Sequence, residues 1–309
     1  MHPLFTHSAS LYVVTVLIWG STWFAITFQL GVVAVEVSLA YRFLLSSILL
    51  LLYCLLRGRS LRFSPAQHVF IFLQGVFLFS VNYLFVYQAT GLLTSGVVAL
   101  VFSTVILMNI VNAALFLRQP VSLKVVIGAL FGVAGITTIF WSEVAGMDNN
   151  GNSWQGLWLC LLSTCSASLG NILSARNQLH KLPVVETNAW GMGYGALIMV
   201  AYALLRGTPF NYDSSTAYTL SLLYLCVFGS VIAFGSYLTL IGRIGAAKTS
   251  YIAVLFPVVA LSISTLFEGY HWTLTAVCGF GLVLFGNYLV LKKPARVTPL
   301  IMEKPPAPT

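Results

Sequence analysis

The sequence predicts an all-α polytopic membrane protein: ten transmembrane helices as two inverted five-helix repeats, both termini cytoplasmic. Three observations predict it. The chain holds ten apolar segments of about the 20 residues that a helix needs to cross a bilayer. Part of the second half superimposes on the first at a shift of 151 residues. Lys and Arg collect in alternate connections, as they do in cytoplasmic loops.

The first segment, Leu11–Leu30, has no Lys/Arg cluster before it and no small-residue cleavage site, so it reads as a retained span, not a signal peptide. The second, Val35–Leu56, carries Arg42 about two turns in from its outward end. The third and fourth, Gln67–Ala89 and Thr94–Leu117, hold the amides Asn82, Gln88, Asn109 and Asn112. The fifth, Val121–Trp141, places Gly128, Gly132 and Gly135 at three- and four-residue spacing. DNNGNS (148–153) then reads as an outward loop joining the halves. The sixth, Trp154–Leu179, has a stripe of Ser163, Ala167, Gly170 and Ser174 beside Asn171. The seventh, Glu186–Leu205, contains GMGYG (191–195), which lies in an apolar helix instead of after a strand and reads as a packing surface, not a dinucleotide loop. The eighth is Ala217–Ile241. The ninth, Ala246–Phe267, is interrupted by Pro257, which removes a helix hydrogen bond and bends the span. The tenth, Trp272–Leu291, repeats the glycines of the fifth as Gly279 and Gly286. The expected organisation is a first repeat over 1–144, an outward linker over 145–153, a second repeat over 154–293 and a disordered cytoplasmic tail over 294–309.

At the 151-residue shift Gly91 lands on Gly242, Gly128 on Gly279 and Gly135 on Gly286. The first three spans of each half align poorly at this shift. An odd number of spans per repeat makes the second copy enter the membrane from the opposite side. Secondary transporters use that architecture to expose a midplane site alternately. With the N-terminus inside, thirteen cations fall in inward connections, in the tail or in the span turn next to an inward connection, and Arg206 alone falls outward. Arg42 is the one cation left more than a turn inside a span.

Composition bounds the rest. Of 309 residues 59% are hydrophobic and 7% charged, so almost no soluble mass remains. The net charge of +8 follows from topology and anionic headgroups, and nucleic acid is not implied. Five cysteines without a CxxC pair read as small buried hydrophobes. No GxSxG or HExxH occurs, and the five histidines sit outside spans or at their ends. No filter-like sequence marks a channel. The expectation is a protein that is not an enzyme, with no metal and no cofactor.

Ionisable residues at membrane depth usually mark function. Arg42 has two readings: its stem lets the charge snorkel to the interface, or it faces an internal cavity and attracts a substrate carboxylate. Glu36, Glu186 and Glu268 lie at span ends, and Glu268 is the acidic candidate for gating or coupling, beside Pro257. Asn82, Asn109 and Asn171 are either cavity lining or interhelical glue. Trp19, Tyr83, Trp190 and Tyr237 are the aromatic candidates for a cavity wall, against membership of an interfacial belt.

WGSTWFAI (19–26), RFLLSS (42–47) and FPVVALSISTLFEGYHWT (256–273) together resemble the EamA-type transporters of the drug/metabolite transporter superfamily. The resemblance covers the whole chain in span number, orientation and repeat. The first motif adds Ser21 and Thr22 to the candidate cavity residues. The chain has Ile106 where the family often has proline, and Gln119 where it often has an acid. The resemblance implies a ten-helix basket, with a cavity lined mainly by spans one to four and six to nine, and with spans five and ten packed together away from it.

The expected function is transport of small metabolites across a cell inner membrane, amino acids first and outward, by alternating access. A lipid-carrier flippase and a drug-efflux permease are the alternatives. The expected partners are a small-molecule solute and the bilayer, with the protein a monomer or weak homodimer.

Overall fold

In lipid every backbone amide must be satisfied within its own segment, which leaves helices as the way to cross for a chain of this composition. A computed structural model describes residues 8–117, 123–146, 152–244 and 252–291, and all its regular structure is helical. The expected tail, Gln119 and residues 147–151 of the expected linker lie outside the described residues. The elements are α1 (Ser8–Thr27), α2 (Val35–Leu56), α3 (Pro65–Gln74), a π-helical segment Gly75–Val81, α4 (Asn82–Thr90), α5 (Ser95–Phe102) and α6 (Val105–Leu117). Then follow α7 (Leu123–Gly146), α8 (Asn152–Leu179), α9 (Val184–Leu205), α10 (Thr216–Tyr224), a second π-helical segment Leu225–Ile232 and α11 (Ala233–Ile244). The last two are α12 (Ile252–Phe267) and α13 (Leu274–Leu291). Seven helical stretches are long and apolar enough to span a membrane, and Val126–Thr138, Ile252–Phe267 and Leu274–Leu289 are shorter apolar helices.

Local chemistry sets the boundaries. Ser64 caps α3 in a reciprocal capping box with Gln67, and Pro65 occupies the first turn, where its missing N–H costs nothing. α2 and α9 end alike. Gly58 and Gly207 follow them at φ +61 and +65, a left-handed turn that only glycine adopts without strain. The Arg59 and Thr208 amides then donate back to Cys54 and Ala203, each at 2.9 Å. The expected fourth span is broken between α5 and α6. Ser103 and Thr104 hydroxyls take the carbonyls of Leu100 and Val101 at 2.6 and 2.7 Å, competing with the helix ladder.

Two antiparallel pairs frame the molecule. α7 packs along α13 through the glycines that the 151-residue shift equates. A Cβ on Gly135 would lie 2.5 Å from the Gly279 carbonyl oxygen, and one on Gly286 the same 2.5 Å from that of Gly128. Only glycine permits this approach. α2 packs along α9. Glu36 near the start of α2 accepts from Thr208 Oγ1 at 2.8 Å, and Glu186 near the start of α9 accepts from Arg59 Nε at 2.6 Å. The same contact is thus made twice, at opposite ends of the pair.

The structure also gives a register for spans where the sequence comparison did not. The two π segments are counterparts at a shift of 150, and in each a serine bonds the carbonyl five residues back: Ser80 to Gly75 at 3.3 Å and Ser230 to Leu225 at 3.0 Å. GMGYG packs as expected, with the Gly191 carbonyl 2.5 Å from where a Gly75 Cβ would stand. Between the two framing pairs, α1 packs on α11 and α12, and α8 packs on α4 and α6.

Candidate functional site: an aromatic cavity

Those inner helices enclose a cavity of about 680 Å³, counted out to its open side. Trp19, Thr22, Trp23 and Ile26 of α1 form one wall. They recur at three- and four-residue spacing, so one helix face presents them all. Leu78 of the first π segment and Asn82, Tyr83 and Val86 of α4 form the next. α5 and α6 add Phe102 and Val105, α8 adds Ala167 and Asn171, α11 adds Phe234 and Tyr237, and α12 adds Ile252, Ala253 and Phe256. α2 and α9 contribute nothing to this lining, because their inner faces are spent on each other. The expectation that the second and seventh spans help line the cavity is corrected accordingly. α7 and α13 pair away from it, as expected.

The rings are arranged in two groups. Trp19 meets Tyr237 at 4.8 Å and Phe234 at 5.2 Å between centroids. One turn on, Trp23 meets Phe102 at 5.1 Å and Phe256 at 5.9 Å. The Trp19 indole N–H donates to the Gly229 carbonyl at 3.4 Å. The Trp23 indole nitrogen, on a residue 7% exposed, has no hydrogen-bond partner among the described residues. Asn82 is held from behind: Ser163 Oγ donates to its Oδ1 at 2.7 Å, and its Nδ2 donates to the Leu78 carbonyl at 3.3 Å. Asn171 Nδ2 donates to Asn109 Oδ1 at 3.3 Å, so Asn171 lines the space while Asn109 orients it.

Of the expected cavity residues, Trp19, Thr22, Asn82, Tyr83, Asn171 and Tyr237 come together around this space. The others stand elsewhere. Ser21 points off the opposite side of α1, sharing a hydrogen bond of 2.7 Å with the Tyr224 hydroxyl in a shallow groove. Trp190 donates to the Leu61 carbonyl at 3.1 Å and stacks on Tyr194, away from the lining. Arg42 neither snorkels nor lines the cavity. It is 1% exposed and sits behind Tyr83, with Cζ 4.5 Å from that ring's centroid. Its Nε donates to Ser230 Oγ at 3.1 Å and its Nη1 to the Tyr87 hydroxyl at 3.2 Å.

Pro257 lies inside α12 next to Phe256, and has no N–H to offer the Ala253 carbonyl one turn back. Glu268 accepts from both the amide and the hydroxyl of Ser95, the first residue of α5. A carboxylate there satisfies an otherwise open helix N-terminus and meets the positive end of its dipole. Phe102, Phe234 and Phe256 are lining residues that the sequence analysis did not select.

A model of the EamA-like transporter family matches residues 7–141 and again residues 154–292. The chain belongs to the EamA-like transporter family. It is similar to the inner membrane transporter YedA of Escherichia coli K12, at 30% identity over 97% of this chain and 96% of the relative. It is also similar to protein PagO of Salmonella typhimurium, at 24% identity over 84% of each. A solved crystal structure superimposes with a TM-score of 0.68 at 18% identity, covering 91% of this chain and 95% of the other, a likeness of fold. This EamA-like transporter is therefore a multi-pass membrane protein that moves small solutes.

Proposed function

We propose that this EamA-like transporter carries small amphipathic metabolites, amino acids with aromatic or apolar side chains first among them, outward across a cell inner membrane. One observation carries this reading: seven aromatic rings close on a space whose polar contributors are few. Such a wall supplies apolar contact area, and a few placed polar groups orient the solute.

The accompanying topology is ten spans in two inverted repeats, 1–144 and 154–293, with both termini cytoplasmic. Two family matches, paired glycines and paired glutamates support it. The repeat also accounts for Arg206, the one cation in an outward connection. Arg206 is the counterpart of Arg57, since YCLLRG (53–58) and YALLRG (202–207) end the paired helices alike.

Alternating access would turn on contacts between the halves. Glu268 with Ser95 ties α12 to α5 at the outward end, which makes it the proposed outward gate, and Pro257 the proposed flexure beneath it. The test is counterflow of a mixed amino-acid pool into liposomes carrying the purified protein. Saturable uptake that falls when Trp19 or Asn82 is replaced by alanine is the expected result. Absence of uptake of every pool member, with protein shown to be folded, overturns the reading.

A further inference from the structure

We infer that the cavity recognises a carboxylate, so that its solutes are small monocarboxylates with an aromatic or apolar body, and that an ammonium group on the solute contributes little. This rests on the cavity being the solute site.

Among the described residues the lining carries no carboxylate, amine or guanidinium. The described acidic side chains are engaged at helix ends: Glu36 by Thr208, Glu186 by Arg59, Glu268 by Ser95 and Asp213 by the Ser215 amide. The charge that adjoins the cavity among the described residues is Arg42, one ring away behind Tyr83. A guanidinium does not deprotonate in a protein, so this charge cannot be lost by titration. Among the described residues no carboxylate lies within ion-pair distance of it. Among the described residues it donates to two hydroxyls, and the Tyr83 and Phe43 rings lie against it at 4.5 and 5.1 Å. Gly229 leaves room for it, since a Cβ there would stand 3.3 Å from Nη2.

Aromatic walls alone would favour a cation through the ring quadrupole. A full positive charge behind one of those walls outweighs that preference, because charge–charge energies in a dry interior exceed charge–quadrupole ones and fall off more slowly with distance. The same charge, buried without a counter-ion, is itself relieved when an anion arrives. A second observation points the same way. The Trp23 indole N–H, unpartnered among the described residues, is a donor and cannot accept, so its complement is an oxygen on the solute. The Ala253 carbonyl, which Pro257 leaves without its helix donor, is a neutral acceptor that tolerates an ammonium without requiring one.

The experiment is a charge series on one ring, read by displacement or by quenching of tryptophan fluorescence in the purified full-length protein. It uses 3-phenylpropionate, phenylalanine, 3-phenylpropionamide and phenethylamine at pH 7. The two carboxylates should bind within about threefold of each other, the amide about tenfold more weakly and the amine more weakly still. Arg42→Gln should compress the series to within about threefold, and Arg42→Lys should keep the order. If Arg42→Gln does not fold, the wild-type series decides alone. Amine binding equal to the acid, or phenylalanine binding at least tenfold tighter than phenylpropionate, overturns the inference and leaves the cavity intact as a solute site. Binding of no member overturns both.

Discussion

The Glu186 carboxylate, 4% exposed, accepts from Arg59 Nε at 2.6 Å, and Arg59 itself is 35% exposed. The pair ties the start of α9 to the chain leaving α2. Its repeat counterpart, Glu36 with Thr208, does the same at the other end with a neutral donor. Arg59→Ala would strand a buried carboxylate whose Oε2 already lacks a partner among the described residues. Breaking a fully buried pair costs about 3–5 kcal/mol, and the partial exposure of Arg59 brings the expected loss to about 1–3 kcal/mol. Unfolding in detergent measures it, with Arg59→Lys expected to recover most of the loss. An unchanged midpoint in Arg59→Ala would mean that water reaches Glu186.

The α7–α13 contact makes a sharper prediction. Gly135→Ala and Gly286→Ala each push a methyl group onto a backbone carbonyl, which cannot rotate away. Each should cost about 1–3 kcal/mol. Gly281→Ala on the same α13 meets nothing within 4 Å among the described residues and should instead stabilise by about 0.5–1 kcal/mol. Opposite signs from chemically identical changes on one helix are the expected outcome. A loss at all three positions would attribute the effect to membrane insertion and not to packing.

Trp23→Phe removes the indole N–H and keeps a ring against Phe102 and Phe256. Because that donor is buried and unpartnered among the described residues, the empty protein should hold its stability or gain about 1 kcal/mol. Solute affinity should fall by about three- to tenfold, the worth of one hydrogen bond. Thermal unfolding and binding on the same sample separate the two effects. A drop in stability with unchanged affinity would assign Trp23 to packing alone.

Glu268→Ala should unwind the first turn of α5 and cost about 1–2 kcal/mol, whereas Glu268→Gln keeps an acceptor for Ser95 and should cost less than half of that. Hydrogen exchange at the amides of 95–98 would report the unwinding. Equal exchange in both variants and the wild type would leave the start of α5 held by something other than Glu268.

How much of this was readable beforehand depends on what each feature is made of. Apolar length carries the helices, since a span must hide every backbone amide regardless of its neighbours. The π segments at Gly75–Val81 and Leu225–Ile232 are set by what packs beside them, such as Gly191 against Gly75, and no local pattern encodes that. The YCLLRG and YALLRG match was present in the sequence, but at a shift of 149, so a comparison held at 151 passes over it. Phe102, Phe234 and Phe256 line the cavity while Phe116 and Phe267 are exposed on the outside, and nothing in composition distinguishes the two sets. Arg42 was visible as an ionisable residue within a span, but its place behind Tyr83 depends on Ser230 and Gly229, nearly 190 residues away.

The reciprocal glycine contact of α7 and α13 has an architectural consequence. An antiparallel interface in which one patch meets its own counterpart is isologous, the form taken where two identical subunits associate about a two-fold axis. Here a contact of that quaternary form lies within one chain. Two separate polypeptides, residues 1–148 and 149–309, should therefore find each other in one membrane and restore the contact without a covalent link.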